Sequence, residues 1–235
     1  MMKKAVLLFI LVVISSCNKP EPNLTVTGSI KGLKKGTLYL QQLQDTLLVV
    51  KDSVIYNGEE NYILKSDLDA PEMLYLTLDK NAGDDIPRIG FFAVPGTIEI
   101  NTTLKRFEFD AKVSGSPLQE KLEEFRDIAS KFNDQNLELI KAKFDAQKSG
   151  DSAQIAKANQ DSDNLLKRKY LYAINFAMNN KNSEIAPYIA LAEIYNANIK
   201  YLDTIYNALP KEIAGSKYGV ELNRFIKQRK EEENQ

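Results

Sequence analysis

The feature that most limits the fold of this chain is a change of hydrophobic period at Ser116. Before this residue, apolar side chains occur at every second position in short runs, whereas after it they recur every three or four positions. The first pattern is typical of strands and the second of amphipathic helices. Because the two patterns occupy consecutive segments, the sequence predicts an α+β fold with its strands first and its helices last.

Residues 24–115 are predicted to form an antiparallel β-sandwich. Short runs of alternating apolar and polar residues are separated there by glycine, proline and asparagine, a spacing typical of sandwiches and barrels. The runs are Leu24–Ile30, Thr37–Leu40, Thr46–Ile55, Asn61–Lys65, Met73–Leu78, Arg88–Val94, Thr97–Thr102 and Phe107–Val113. We therefore expect about eight strands in this segment.

Residues 116–235 are predicted to form an all-helical domain. Ser116 is a favoured N-cap, Pro117 suits the first helical position, and Gln119 stands where a capping box places its glutamine. The helix that starts here and a second one after Gly150 are each about 30 residues long, which predicts a long helical hairpin. Alanines dominate its faces near the turn, so we expect the tip to project into solvent or to be mobile. Three shorter helices are predicted after it, at Ser183–Ala197, Ile199–Leu209 and Ser216–Glu232.

The tyrosines are concentrated in the helical part of the sequence. There are 11 in the chain, and most of them lie from Tyr170 onward, at helical spacing among alanines and isoleucines. This spacing favours packing in the core and at its rim. A functional aromatic face is the alternative.

The first 17 residues are typical of a bacterial lipoprotein signal. Lys3 and Lys4 precede an apolar run, Ala5–Ile14, and Ser15-Ser16-Cys17 closes it. The run is too short to cross a ~30 Å hydrocarbon core as a helix. We expect residues 1–16 to be a removable signal peptide and residues 17–23 a lipidated tether, with a diacylglycerol and a further acyl chain such as palmitate on Cys17. An ordinary secretory signal with an incidental cysteine is the alternative.

The composition excludes several kinds of site. The chain has no histidine and one cysteine, which removes histidine-based triads, histidine-ligated zinc and haem, and thiol exchange if Cys17 is acylated. With 31 basic and 32 acidic side chains the net charge is only -1, so no nucleic-acid partner is expected. We predict no cofactor, no metal site and no enzymatic activity.

Three patterns could suggest other sites. Gly28, Gly32 and Gly36 could form a phosphate loop, but no lysine follows them at the required place, so strand turns are favoured. The acidic stretch 79–85 offers oxygen ligands for calcium, yet its glycine is one place early for an EF-hand loop, and a polar hairpin loop is favoured. The carboxylate pairs Glu59-Glu60 and Glu123-Glu124 point to different sides of their elements and favour a solvated surface.

Several short segments of the chain resemble one known family. They are Gly28–Leu33, Gly36–Leu40, Asp52–Val54, Ala70-Pro71, Phe91–Ile100, Val113–Ser116, Ser183–Tyr188 and Ser216–Gly219. Together they resemble a domain of unknown function of Bacteroidota lipoproteins, which in that family usually precedes a thioredoxin-like domain of the TlpA type. The resemblance implies a cell-envelope location. No Cys-x-x-Cys pair occurs in the sequence, so we expect the thioredoxin-like domain to be absent here, and no catalytic residue is carried over.

These observations lead to two functional hypotheses. The first is a lipid-anchored protein of the cell envelope, facing the periplasm, that acts as a non-catalytic binding or interaction module with an envelope protein as partner. The partner could dock on the sheet or along the helical hairpin, and either membrane could hold the lipid. The second, implied by the resemblance alone, is an accessory that works in trans with a thioredoxin-like oxidoreductase. An enzyme that uses carboxylates or Ser, Tyr and Lys side chains is a third alternative.

Overall fold

The computed structural model describes residues 21–59, 61–79 and 86–233. Nine strands are followed by six helices within these ranges, which confirms the predicted α+β class with strands first. The strands are β1 (Leu24–Gly28), β2 (Ile30–Lys31), β3 (Gly36–Gln44), β4 (Leu47–Tyr56), β5 (Tyr62–Ser66), β6 (Glu72–Asp79), β7 (Arg88–Ala93), β8 (Gly96–Thr103) and β9 (Lys112–Ser114). The helices are α1 (Pro117–Ser149), α2 (Ser152–Asn179), α3 (Ile185–Glu193), α4 (Ile199–Ala208), α5 (Lys211–Ala214) and α6 (Lys217–Glu233).

The strands form two sheets around one core. One sheet has the order β2-β8-β1-β5, with β9 added at β8, and the other has the order β4-β3-β6-β7. A single cluster of buried side chains draws on both sheets, with Val26 and Ile98 from the first and Leu40 and Leu76 from the second. The alternation of apolar residues is therefore explained by one shared interior.

The first sheet is mixed and not purely antiparallel, which corrects one part of the prediction. Strands β1 and β8 run parallel, with Val26 opposite Ile98, and β2 also runs parallel to β8. The two-residue period identifies a strand but carries no information about its partner or direction. Only a long connection can join parallel neighbours, and here most of the sandwich lies between β1 and β8.

The start of β1 is fixed on both sides. The side chain of Asn23 donates to the carbonyl of Leu68 and accepts from its N–H, both at 2.8 Å. The Asn23 carbonyl accepts from the N–H of Gly96 at 2.8 Å. Because β1 lies between β5 and β8, the residue just ahead of it is held by hydrogen bonds on either side.

The strand predicted at Phe107–Val113 is wrong over most of its length. Residues 105–110 form turns, and only Lys112–Ser114 pairs with β8. Phe107 is buried in the sandwich core, and its carbonyl accepts a hydrogen bond from the Thr102 hydroxyl at 2.7 Å. One buried side chain in a turn resembles one member of an alternating strand when only the sequence is read.

The helical hairpin forms as predicted, with local capping at its ends. Ser116 accepts from the N–H of Gln119 at 3.2 Å. Gly150, in the left-handed region, ends α1, and Asp151 caps α2 by accepting from two N–H groups. With 33 residues, α1 is about 50 Å long. Near the turn the two helices approach through small residues, since Ala146 and Ala158 are buried.

The shorter helices pack around the base of the hairpin. Helix α5 was not predicted, and it separates α4 from α6 by a single helical turn. Buried residues from each of the longer helices form a second cluster at the base of the hairpin, and Phe92 of strand β7 belongs to it. The sandwich and the helices therefore share a packed boundary. Within the described ranges no helix is long and apolar enough to span a membrane.

A candidate ligand cleft between the sheet and the helices

Two helical side chains bind the backbone of the second sheet at one pair of opposed residues. Met73 of β6 and Phe92 of β7 lie opposite each other in the ladder. The N–H of Phe92 donates to Oε1 of Gln119 at 2.8 Å, and the N–H of Met73 donates to the Tyr218 hydroxyl at 2.9 Å. Buried N–H groups need such acceptors, so α1 and α6 complete the hydrogen bonding of the sheet.

Gln119 has a different role from the one its position predicts. A capping-box glutamine would reach back to the N-cap N–H, but this side chain accepts from Phe92 and donates to Glu123 at 2.9 Å. Gln119 is 3% exposed, so its amide is buried at the boundary between the sheet and the helices. The capping motif and the strand Arg88–Val94 were both visible in the sequence, but nothing in either indicated that the Gln119 oxygen would accept from Phe92.

An ion pair lies beside the Met73 contact. The carboxylate of Glu72 is buried, accepts from Nε2 of Gln42 at 2.7 Å, and pairs with the ammonium of Lys217. Lys217 and Tyr218 are consecutive residues at the start of α6. The first turn of α6 is therefore attached to β6 through both a charge and a hydroxyl.

Three aromatic rings fill the boundary between these contacts. Phe92, Tyr188 and Tyr218 contact one another edge to face, with centroids 5.2 to 5.6 Å apart. Burial raises the pKa of Tyr218 and of Tyr188 above the ordinary value, while the nearby Arg126 guanidinium opposes part of the rise in the Tyr188 pKa. Both hydroxyls therefore remain protonated at neutral pH and can act as hydrogen-bonding groups.

Two open clefts flank this aromatic cluster and share part of their walls. The first has a volume of about 560 Å³ and lies between strands β6 and β7 and helix α1. The second, of about 450 Å³, lies between β6, the β3–β4 hairpin and helices α3 and α6. Met73, Tyr75 and Tyr188 line both. An extended ligand could therefore pass from one cleft into the other over these three side chains.

The first cleft is polar and carries both signs of charge. Its charged residues are Arg88, Glu108, Glu123, Arg126 and Asp127. Its floor is open because Gly90 stands opposite Tyr75 in the ladder. A Cβ atom at Gly90 would lie 3.3 Å from Cε1 of Tyr75, so a larger residue would occupy space next to this ring.

The second cleft is more apolar and has an acidic rim. Beyond the shared residues, its lining includes Leu43, Asp45, Leu191, Tyr195, Glu221 and Phe225. Leu43 and Tyr195 are about half exposed. Aromatic and aliphatic surface with a few polar groups at its edge is the composition of ligand-binding sites.

The sites that the sequence suggested are not brought together in one place. Cys17, the signal peptide and residues 80–85 of the acidic loop lie outside the described residues. Of the three glycines, Gly32 lies in a turn, as the preferred interpretation had it. Gly28 is instead the last residue of β1 and Gly36 the first of β3, and a Cβ at Gly28 would meet the Ile100 carbonyl oxygen at 1.9 Å. Of the carboxylate pairs, Glu123 lines the first cleft, whereas Glu59 is exposed and its pKa is lowered by hydrogen bonds from backbone N–H groups.

Sequence reasoning missed the residues at the centre of the clefts. Tyr75 belongs to a strand that was predicted, but the alternation does not say which structure covers its outward face. Tyr188 and Tyr218 were expected to pack in the core or at its rim, and they do so while also lining a cleft. No group of three or more acidic or cysteine ligands capable of holding a metal occurs in the described ranges.

The comparisons with known proteins identify one domain. Residues 24–122 match the model of a family described as a domain of unknown function (DUF4369). The match covers the sandwich and the first residues of α1, while the two later segments that resemble the family, Ser183–Tyr188 and Ser216–Gly219, lie beyond it. No curated protein and no solved structure matches the chain.

Proposed function

We propose, from the premise that residues 24–122 match the DUF4369 family, that this chain is a lipid-anchored binding module of the cell envelope. Its anchor is the acylated Cys17, and its binding site is the pair of clefts that share Met73, Tyr75 and Tyr188. The proposal includes no catalytic role. The observation that carries it is the convergence of both clefts on these three side chains.

The ligand class we propose is an extended segment of an envelope protein. The second cleft offers Leu43, Leu191 and Phe225 to apolar side chains. The first offers Arg126 and Glu123 to charged side chains and to peptide groups. A peptide presents apolar, charged and amide groups at short intervals, so one extended segment can use both clefts.

The tyrosines suit this role because each has an apolar ring and a polar tip. Tyr75 and Tyr188 are partly exposed in the clefts, and rings of this kind give large contact areas at little cost in side-chain entropy. Met73 lies between them with a flexible, polarisable side chain that adapts to different ligand groups. These properties support recognition of a segment without requiring a catalytic group.

The binding site is tested by photocrosslinking of the full chain in its native envelope. A photoreactive phenylalanine analogue replaces Tyr75 in one variant and Tyr201, which is 43% exposed on α4, in a control. We expect a discrete adduct with an envelope protein from position 75 and none from position 201. Equal adducts at both positions, or none at position 75, would overturn the site.

The anchor is tested separately by metabolic labelling with a fatty-acid analogue. We expect label on the wild-type chain and its recovery with membranes, and loss of the label in Cys17→Ala. Labelling that persists in the variant would contradict acylation at Cys17. The two experiments are independent, because a cleft can bind its ligand in an unacylated chain.

The redox-accessory hypothesis remains an alternative with its own outcome. If the adduct at position 75 contains a thioredoxin-like protein, the module has a redox partner. If it contains another envelope component, the general binding role stands without one. Loss of a partner's insulin-reduction activity when Tyr75→Ala replaces the wild-type chain would support the redox role specifically.

A further inference from the structure

The outer half of helix α1 carries an apolar stripe that nothing in the described chain covers. Leu137, Ile140 and Phe144 are 64%, 56% and 65% exposed. Their spacing of three and four residues places them on one face of α1. The neighbouring Phe132 and Leu139 are more buried, so the stripe is separate from the face that packs on α2.

A line of charges runs beside this stripe with a reversal of sign at its middle. Asp127, Asp134, Lys141 and Lys148 recur at intervals of seven residues, and all four are exposed. Positions seven apart lie almost above one another on a helix, with a drift of about 20° per heptad. None of the ion pairs among the described residues uses these four side chains.

The charge pattern of one α1 helix is complementary to that of a second α1 helix that runs in the opposite direction. If two α1 helices pack antiparallel about a two-fold axis near Leu137, Asp127 of one copy faces Lys148 of the other, and Asp134 faces Lys141. Each pair occurs twice because the axis relates the copies. The same axis brings Leu137 of each copy against Ile140 of the other. Phe144 of each copy then packs beside Asn133 of the other.

We propose that the stripe is a self-association surface, through which two copies of this chain pair their α1 helices antiparallel. A parallel arrangement would bring Asp134 against Asp134 and Lys141 against Lys141, so the charges select the direction. The sign reversal is what specifies a second copy. A partner of unrelated sequence would have no reason to match it.

The interface is small, and its size determines how strongly the two copies associate. Residues 127–148 span about 33 Å of helix, and a contact one helix diameter wide is at the low end of specific interfaces. The dimer is therefore weak and concentration-dependent in solution. Tethering both copies to one membrane, as the proposed anchor does, raises their effective concentration.

The test uses disulfide crosslinking of the full chain in membranes. Leu137→Cys places a thiol next to the axis, so oxidation should join two copies, and Tyr201→Cys on α4 is the control for random collisions. Wild-type chain, whose only cysteine is Cys17, controls for that thiol. We expect a dimer band from Leu137→Cys and only background from the other two.

Charge reversal then tests the arrangement. In the Leu137→Cys background, Asp127→Lys with Asp134→Lys makes the line wholly basic, and Lys141→Asp with Lys148→Asp makes it wholly acidic. The amount of crosslinked dimer should fall at least about tenfold for each variant alone, because four attractive pairs become repulsive. Co-expression of the two, with tags of different size, should restore the mixed dimer, which also shows that both variants fold.

Matched reversals elsewhere complete the design. Asp163→Lys with Glu231→Lys makes the same change of net charge as the wholly basic variant, at exposed positions of α2 and α6, and should leave the dimer unchanged. Crosslinking that does not respond to the α1 reversals, or a loss that co-expression does not restore, would overturn the proposal. So would a Leu137→Cys adduct with a different protein in place of a second copy.

Discussion

The hydroxyl of Tyr218 accepts a hydrogen bond from the backbone N–H of Met73 at 2.9 Å, between residues 145 positions apart in the sequence. The contact joins the first turn of the last helix to a strand in the middle of the sandwich. It also lies at the edge of the second cleft, which both residues line. The same bond thus holds the two halves of the molecule together and shapes the wall of the candidate site.

Removing this acceptor should weaken the whole fold. Tyr218→Phe keeps the ring among Phe92 and Tyr188 but leaves the Met73 N–H without its partner, so we expect the free energy of unfolding to fall by about 1–2 kcal/mol. Urea denaturation measures the change. Tyr201→Phe, at an exposed position, should stay within about 0.5 kcal/mol. Equal effects of the two changes would show that the Tyr218 hydroxyl is not needed.

Gln119 should be the counterpart of Tyr218 at the other strand. Gln119→Leu has a similar volume but offers no acceptor to the buried N–H of Phe92, and we expect a loss of about 1–3 kcal/mol in unfolding free energy. The same change at the exposed Gln154 is the control and should cost little. A value for Gln119→Leu as small as that of the control would contradict the role assigned to this amide.

Glu184 should make stability depend on pH. Its Oε2 is buried and has no hydrogen-bond partner among the described residues, and burial, followed by the charge of Glu212, raises its pKa above the ordinary 4.5. The folded state then holds this proton more tightly than the unfolded state, so the contribution present at acidic pH is lost as pH rises through the folded pKa.

The measurement for Glu184 compares unfolding free energies at several pH values. Glu184→Gln removes the ionisation, so the variant should gain on the wild type as pH rises from 4 to 7. Glu212→Gln removes one charge that raises the Glu184 pKa and should reproduce part of this gain. A difference between Glu184→Gln and wild type that stays constant with pH would contradict the prediction.

Gly219 should not tolerate a side chain. It is buried in α6, and a Cβ atom there would lie 2.1 Å from the carbonyl oxygen of Ile213 and 2.7 Å from that of Ala214. Gly219→Ala must push α5 and α6 apart, for an expected loss of about 1–3 kcal/mol or more. Thermal unfolding measures it, with Val220→Ala at the next, exposed position as control. A melting temperature unchanged by Gly219→Ala would refute the close approach.

The sequence predicts the local elements well because their signals are local. Ser116, Pro117 and Gly150 mark the ends of α1 through interactions within a few residues, and the structure has those ends. The parallel pairing of β1 with β8 depends on which distant strand completes the core, and nothing in either segment records it.

The candidate site could not be predicted for the same reason. Tyr75 and Tyr188 come together only because α3 packs beside the outer face of β6, a consequence of the shared boundary around Phe92. The alternation in β6 marks Tyr75 as facing away from the sandwich core, and this is the one signal that pointed towards it. Predicting the cleft would have required the position of the helices relative to the sheet.

The attachment of β1 also determines how the protein would respond to mechanical tension. A pull on the chain ahead of Leu24 acts along β1, whose ladders with β5 and β8 lie on either side. The hydrogen bonds of both ladders run across the direction of pull and are therefore loaded together in shear. The bonds from Asn23 to Leu68 and Gly96 lie where the force enters the sheet. A domain held from its N-terminal end in this way resists extension by the combined strength of two ladders.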